Sequence, residues 1–395
     1  MLLNMVSPPT TMPVGHGLPG PIECAERISE ASLHNDRGNA LFAAGDTAAA
    51  VAAFLTAISL HGSDANLWNN LGAACSRRND TAAAEAAWRR AIACDPQFAP
   101  ALQNLSALLM ADGRTEESSL LSCSAFVLPP LAGKSPQQLA IAYYRLGRIR
   151  EAADCYRAWL RAEPDNAYAR YLLTACTGEN VPAKSPAGFI KTLFDGMAED
   201  FDIKLVGKLG YRGPQVIAAL LENHLTADGT LDVLDGGCGT GLCAPVLLPY
   251  ARRLTGIDLS PGMLAKAAQR AGYAKLVEAE LGAYLHSRHH DFDLIVMADT
   301  LIYFGDKTDV FAGVRRALRP GGLFAFTVET LVEPAYTRID YQLQPSSRYG
   351  HSRRYIASAL NNAGFAVQSC DAVATRQEFG QPEAGLVVLA RVLSH

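Results

Sequence analysis

The first half of the chain repeats itself every 34 residues. Gly38 and Gly72 stand one period apart, and Ser106 and Ala140 continue the series. A small residue at a fixed interval means that two segments approach closely at the same point of every unit. The second unit is the fullest, with Trp68, Leu71, Gly72, Ala84, Trp88, Ala91 and Pro96 in register. The first keeps Gly38, Leu41, Gly45, Ala50, Phe54 and Ala57; the fourth keeps Leu139, Tyr143, Gly147, Ala152, Tyr156 and Pro164. The third is worn. Leu102, Leu105, Gly113 and Ala125 survive, but Ser122 stands where an aromatic residue is expected. Each unit reads as a helix hairpin that buries its apolar face only against its neighbours, so the units must stack. A further apolar helix, near Ala167 to Cys176, caps the stack.

Residues 1–24 are rich in Pro, Gly and Thr and hold no Lys or Arg. They read as a disordered tail, not as a secretory leader. The repeats then occupy residues 25–177. The stretch at 178–188 combines prolines, glycine and polar residues and reads as a linker, with a second domain over 189–395. Hydrophobic residues make up 49% of the chain and charged residues 19%, enough apolar material for packed cores. The net charge of −4 disfavours nucleic acid as a partner. No segment has the ~20 consecutive apolar residues that a membrane-spanning helix needs. The nine cysteines include no C-x-x-C pair, which fits free thiols and a cytoplasmic location. The histidine-rich run His286–His290 reads as a solvated loop, and no metal is expected.

Beyond the linker the period changes. Apolar strands at "LDVLD", "RLTGIDLS", "YAKLVEAEL", "FDLIVMADTLIYF", "LFAFTVE", "AVQSCDAVA" and "GLVVLARV" alternate with helical segments, apart from the last two, which follow one another. Such alternation predicts a mostly parallel sheet covered on both faces, with its ligand beyond the carboxyl ends of the strands.

The first strand runs into a glycine loop, "LDVLDGGCGTG", Leu231 to Gly241. A dinucleotide fingerprint needs G-x-G-x-x-G, and Leu242 stands at its last position. Asp235, directly before the loop, would repel a pyrophosphate. The ligand expected here has no phosphate and carries positive charge. Asp258 ends the second strand, placed to accept from ribose hydroxyls; Glu280 follows the third, and Asp299 ends the fourth.

The residues "LDVLDGGCGTG", "LTGIDLSPGML", "VEAEL", "FDLIVMADTL" and "LRPGGLFAF" resemble the class I S-adenosylmethionine-dependent methyltransferases over about residues 189–395. The first half resembles the tetratricopeptide repeat family, and the tandem resembles a group of bacterial methyltransferases that carry such repeats. The resemblance implies a two-part fold: an all-α superhelix of about four repeats, then a Rossmann-like α/β domain with seven strands, the last antiparallel. It implies S-adenosylmethionine as cofactor. Gly237, Cys238, Gly239 and Gly241 form the loop that approaches it, with Asp235 beside them. Asp258 holds the ribose, followed by Leu259; Met263 packs on the adenosine; Glu280 and Leu281 flank the adenine; Asp299 completes the set. The repeats imply a groove for a protein or peptide partner, or else a surface for self-association.

The acceptor is not readable from the sequence. The fourth strand ends in "ADTL", not in the N-P-P-Y type that grips a planar nitrogen. Tyr303 shapes the pocket or the core. Tyr211 and Arg212 reach the acceptor or form a turn. The insertion "SSRYGHSRRY" offers Tyr349 and Arg354 to an acceptor and His351 as a base, unless it is a solvated basic loop. An adaptor that has lost catalysis is the alternative to an enzyme.

Overall fold

The computed structural model describes residues 21–331, 339–378 and 381–393. The expected tail lies outside them except for its end, because the first helix already begins at Pro21. The chain forms two compact units, residues 1–132 and 133–395. The division therefore falls within the repeats and not at 178–188.

The first unit is three helix hairpins: α1 (Pro21–Ala43) with α2 (Thr47–Leu60), α3 (Ala65–Arg77) with α4 (Thr81–Cys94), and α5 (Ala99–Ala111) with α6 (Thr115–Phe126). Asp46, Asp64 and Asp80 cap α2, α3 and α4 by accepting from backbone N–H groups one turn on. The 34-residue period has a direct cause in packing. A Cβ at Gly38 would collide with the Phe54 ring, and one at Gly72 with Trp88. The worn third unit has changed both partners. Ser106 replaces the glycine, Ser122 replaces the aromatic ring, and their hydroxyls meet at 2.6 Å. Ser106 also bonds Ser118 Oγ at 2.9 Å. Hydrogen bonds thus replace a ring-on-glycine contact at the same place.

The second unit begins with the fourth hairpin, α7 (Pro136–Arg145) and α8 (Ile149–Ala162), and the capping helix α9 (Ala167–Thr177). Then come α10 (Ala187–Asp195), a π-helical turn Ile203–Lys208 and α11 (Gly213–Glu222). The sheet follows: β1 (Leu231–Gly236), α12 (Ala244–Leu247), β2 (Ala251–Asp258), α13 (Pro261–Ala268), β3 (Lys275–Glu278), α14 (Leu281–His286), β4 (Phe292–Met297), α15 (Thr308–Ala317) and β5 (Leu318–Thr330). It closes with β6 (Tyr341–Leu343), β7 (Tyr349–His351), α16 (Arg353–Asn362), β8 (Phe365–Glu378) and β9 (Gln381–Val392).

Strands β3-β2-β1-β4-β5 are parallel; β9 joins β5 antiparallel and β8 joins β9. These are the seven expected strands, with the last antiparallel. A hairpin that the sequence reading missed, β6–β7, extends the end of β5, where Glu329 pairs with Gly350. Side chains alternate between two apolar layers. Leu234, Ile295, Met297, Phe324 and Phe326 face one; Val233, Leu294, Val296, Leu323 and Ala325 face the other. Burial on both faces explains why the strands read as continuous apolar runs. The fourth strand is shorter than the sequence suggests. It ends at Met297, and Asp299 turns the chain at φ 53° into a 3-10 turn, Leu301–Tyr303.

Helix α9 does not stop at the repeats. Tyr171 and Ala175 share a buried cluster with Phe189 of α10, Leu343 and Tyr349. Tyr171 Oη lies 2.7 Å from Ser185 Oγ and donates to Ser347 O at 3.3 Å; Tyr349 Oη donates to Pro182 O at 2.6 Å. The expected linker is tied down at Pro182 and Ser185 by these bonds.

Candidate active site

Strand order reverses at β1, which has β2 on one side and β4 on the other. Beyond the carboxyl ends of these strands lies a cavity of about 460 Å³, within the usual range for small-molecule sites. The glycine loop forms one wall. Gly237 adopts φ 77° and Gly239 φ 53°, left-handed conformations that favour glycine. A Cβ at Gly237 would strike the Thr300 side chain, whose hydroxyl donates to Gly236 O at 2.8 Å. Gly241 plays a different part. It does not line the cavity; a Cβ there would press on Tyr273 and Arg270.

Two carboxylates face the loop, one half-buried and one buried. Asp258 accepts from Gly239 N and from Ser260 N, each at 2.9 Å. Burial pushes its pKa up, and those N–H groups oppose the shift. Asp235 is 2% exposed and accepts from Tyr273 Oη at 2.6 Å. Burial first, and the negative charge of Asp258 second, push its pKa up to about 7 against the pull of that hydroxyl. Among the described residues, no Lys or Arg pairs with either carboxylate.

Glu280 lines the cavity and is also the N-cap of α14, accepting from Ala283 N at 2.8 Å. Burial would raise its pKa, but that N–H and Lys184 at 3.1 Å bring it below the ordinary carboxylate value. Leu281, Leu259 and Cys238 also line the wall. Met263 does not: it is fully buried in the first turn of α13, where Ser260 Oγ accepts from its N–H.

The roof is apolar and comes from α10 and the turn after it: Ile190, Leu193, Phe194, Phe201 and Leu205. Polar latches hold it over the loop. Asp195 Oδ1 accepts from Ser260 Oγ at 2.5 Å, Asp202 Oδ1 accepts from Thr240 Oγ1 at 2.5 Å, and Asp202 pairs with Arg270.

The far end is polar and aromatic. Tyr211 and Tyr303 line it, both with pKa values raised by burial. Asp299 stands there too, but Thr327 Oγ1 and Arg376 Nη1 each bind its carboxylate at 2.8 Å. Arg376 also pairs with Glu329, as does Arg348 at 2.6 Å. Arg348, Arg376, Ser346, Ser347 and Thr300 line this end and were not singled out from the sequence.

Four of the expected acceptor residues lie elsewhere. His351 is fully buried outside the cavity, its Nε2 2.6 Å from Lys307 Nζ and 2.9 Å from Phe304 O. Burial, then the Lys307 charge, depress its pKa, so it is a neutral packing partner of a buried lysine and not a base. Tyr349 is fully buried in the α9–α10 cluster. Arg354 is exposed and pairs with Asp340. Arg212 is exposed and uses its backbone N–H to bind Thr375 O.

Two family models match the chain. Residues 234–326 match the family model described as methyltransferase domain, and residues 35–98 and 138–174 match the tetratricopeptide repeat. The chain carries a class I methyltransferase domain behind tetratricopeptide repeats. The biotin biosynthesis bifunctional protein BioHC of Teredinibacter turnerae is 30% identical to it over 161 residues, covering 36% of this chain and 27% of the relative. The malonyl-[acyl-carrier protein] O-methyltransferase of Acetivibrio thermocellus is 32% identical over 106 residues, covering 26% of this chain and 37% of the relative. The chain thus spans well under half the length of either. Among solved structures, the 1,6-didemethyltoxoflavin-N1-methyltransferase of Burkholderia thailandensis matches 54% of this chain and 93% of its own, at 20% identity and a TM-score of 0.42. No described helix is long and apolar enough to cross a membrane.

Proposed function

We propose that the methyltransferase domain uses S-adenosylmethionine to methylate an acceptor seated at the Tyr211–Tyr303 end of the cavity. One observation carries this reading. Asp235 is buried and Asp258 half-buried beside an open glycine loop, and among the described residues no cation neutralises them. Buried charges are ordinarily paired, so the site calls for a cationic ligand without phosphate. The residues fit such a cofactor: Asp258 for ribose hydroxyls, Asp235 near the ammonium, Leu281 and Glu280 along the adenine. When bound, the cofactor supplies an electrophilic methyl group. The chain holds both partners in line and excludes water with the apolar roof, and such positioning is worth roughly 7–11 kcal/mol of barrier. The repeats support recruitment of a protein or carrier that bears the acceptor, because stacked helix hairpins offer an extended surface that the chemistry does not use.

Isothermal titration with S-adenosylhomocysteine tests the reading. The full chain should bind without added metal, and Asp258→Ala should cost about 1.5–3 kcal/mol, as for hydrogen bonds to a charged group. Equal affinity of the two proteins would overturn the assignment.

A further inference from the structure

The polar end of the cavity indicates what the acceptor is, and the inference rests on the proposed methyl transfer. The turn between β6 and β7 is closed by Gln344 N to Arg348 O and Ser347 N to Gln344 O, both at 2.8 Å. Ser347 takes φ 66° within it, and three consecutive residues, Ser346, Ser347 and Arg348, reach the cavity wall. A non-glycine residue in that conformation is strained and persists where the surroundings hold it. Here the holder is Tyr171 Oη on Ser347 O. Ser346 Oγ is buried on that wall with no hydrogen-bond partner. A buried hydroxyl without a partner is costly, and a ligand atom that accepts its proton removes the cost. Beside it, the Arg348 guanidinium is oriented by Glu329 and keeps 17% of its side-chain surface exposed.

Every carboxylate on the same wall, among the described residues, already accepts hydrogen bonds. Asp235 takes the Tyr273 hydroxyl, Asp258 takes two backbone N–H groups, Glu280 takes Ala283 N and Lys184, and Asp299 takes Thr327 and Arg376. His351 lies outside the cavity. An alcohol or ammonium acceptor must lose a proton to react, and each of these carboxylates is already engaged by hydrogen-bond donors. A carboxylate has no proton to lose.

We infer that the acceptor is a carboxylate, received by Ser346 Oγ and the Arg348 guanidinium on the β6–β7 turn. One carboxylate oxygen forms a bond to the methyl carbon while the carbon–sulfur bond breaks, its electron pair staying on sulfur. The products are a methyl ester and a neutral thioether, and no proton is released. The two reacting charges cancel in the transition state, which a dry cavity favours.

Two measurements on the full chain decide this. In the first, protein saturated with S-adenosylhomocysteine is titrated with propionate, hexanoate, succinate, adipate and benzoate, and with their neutral amides, following the melting midpoint. At least one acid should raise the midpoint where its amide does not. Arg348→Met should weaken that acid by roughly 10- to 150-fold, the range for a hydrogen bond to a charged group. Because Arg348 also holds Glu329, Ser346→Ala serves as the milder variant and should weaken the same acid while leaving S-adenosylhomocysteine affinity intact. In the second, methyl-labelled cofactor is incubated with cell extract split by ultrafiltration, and the labelled product is treated with mild base. Label should leave as methanol, from the filtrate for a free acid or from the retentate for a carrier-bound one. Base-stable label, no transferred label, or equal effects of acids and amides would overturn the inference. Failure of S-adenosylhomocysteine to bind at all would instead overturn the cofactor reading on which it rests.

Discussion

Asp235 answers for the cofactor at the level of a single proton. Its folded pKa is raised to about 7, so in the free protein its contribution to stability is complete below the ordinary carboxylate range. That contribution is lost as pH rises through about 7. A ligand ammonium beside it reverses the preference, because it favours the ionised carboxylate. Affinity for S-adenosylhomocysteine should therefore fall about tenfold between about pH 8 and about pH 6, with proton release on binding. Asp235→Asn should flatten that profile, and calorimetry in buffers of different ionisation enthalpy would show it. A profile unchanged by the substitution would remove Asp235 from the cofactor site. His351 shows the limit of reading residue types alone. A histidine in a basic, serine-rich segment invites the role of base, yet β7 turns all three of its residues inward. Its Nε2 lies within hydrogen-bond distance of Lys307 Nζ and two backbone carbonyls, away from the cavity.

At the scale of elements, the third hairpin and helix α9 each carry a test. In the third hairpin, Ser106 and Ser122 occupy positions where the second unit has Gly72 and Trp88. Ser122→Trp alone should overpack against Ser106 and destabilise by about 1–3 kcal/mol. Adding Ser106→Gly should recover most of that loss, a coupling that a double-mutant cycle of urea melts would measure. Additive losses would mean that the two sites do not meet. Helix α9 was legible as a cap, but not as a wall of the second domain. Tyr171→Ala should cost about 3–5 kcal/mol of the stability of residues 133–395, the range for a large aromatic truncation in a core. A chain started at Ala183 loses the partner of Phe189 and Tyr349 altogether, so it should expose that apolar cluster and bind a hydrophobic dye. The strand-helix alternation, the glycine loop and the acids at strand ends were readable because each leaves a local pattern. The β6–β7 turn was not, since three-residue strands leave no period to detect. The segment Ser346–Tyr355 was singled out, but on account of Tyr349, His351 and Arg354, which lie outside the cavity. Without the pairing of β7 to β5, however, nothing in the sequence says that Ser346 and Arg348 face the cavity while Tyr349 and His351 face the core. Arg376 is hidden for the same reason, as one polar residue at a strand end whose partners, Asp299 and Glu329, lie far away in sequence.

At the scale of the whole molecule, the chemistry and the first three hairpins belong to different compact units. Every residue of the cavity wall lies in residues 133–395, and the first unit has its own core around Phe54, Leu71, Trp88 and Leu105. A fragment starting at Gly133 should therefore fold and bind S-adenosylhomocysteine as the full chain does. At a ligand concentration about a hundredfold above Kd it should gain about 2.7 kcal/mol of stability. The fragment 1–132 should also fold, and the same ligand should leave its melting unmoved. If the repeats recruit the acceptor-bearing partner, the shorter enzyme should methylate that partner with a higher apparent KM and an unchanged rate at saturation. Binding energy remote from the reacting atoms raises local concentration without touching the transition state. Small carboxylates that need no recruitment should react equally well with both proteins. An unchanged KM toward the native partner would leave the first three hairpins with another task, most simply self-association, and sedimentation of the 1–132 fragment would then show a dimer.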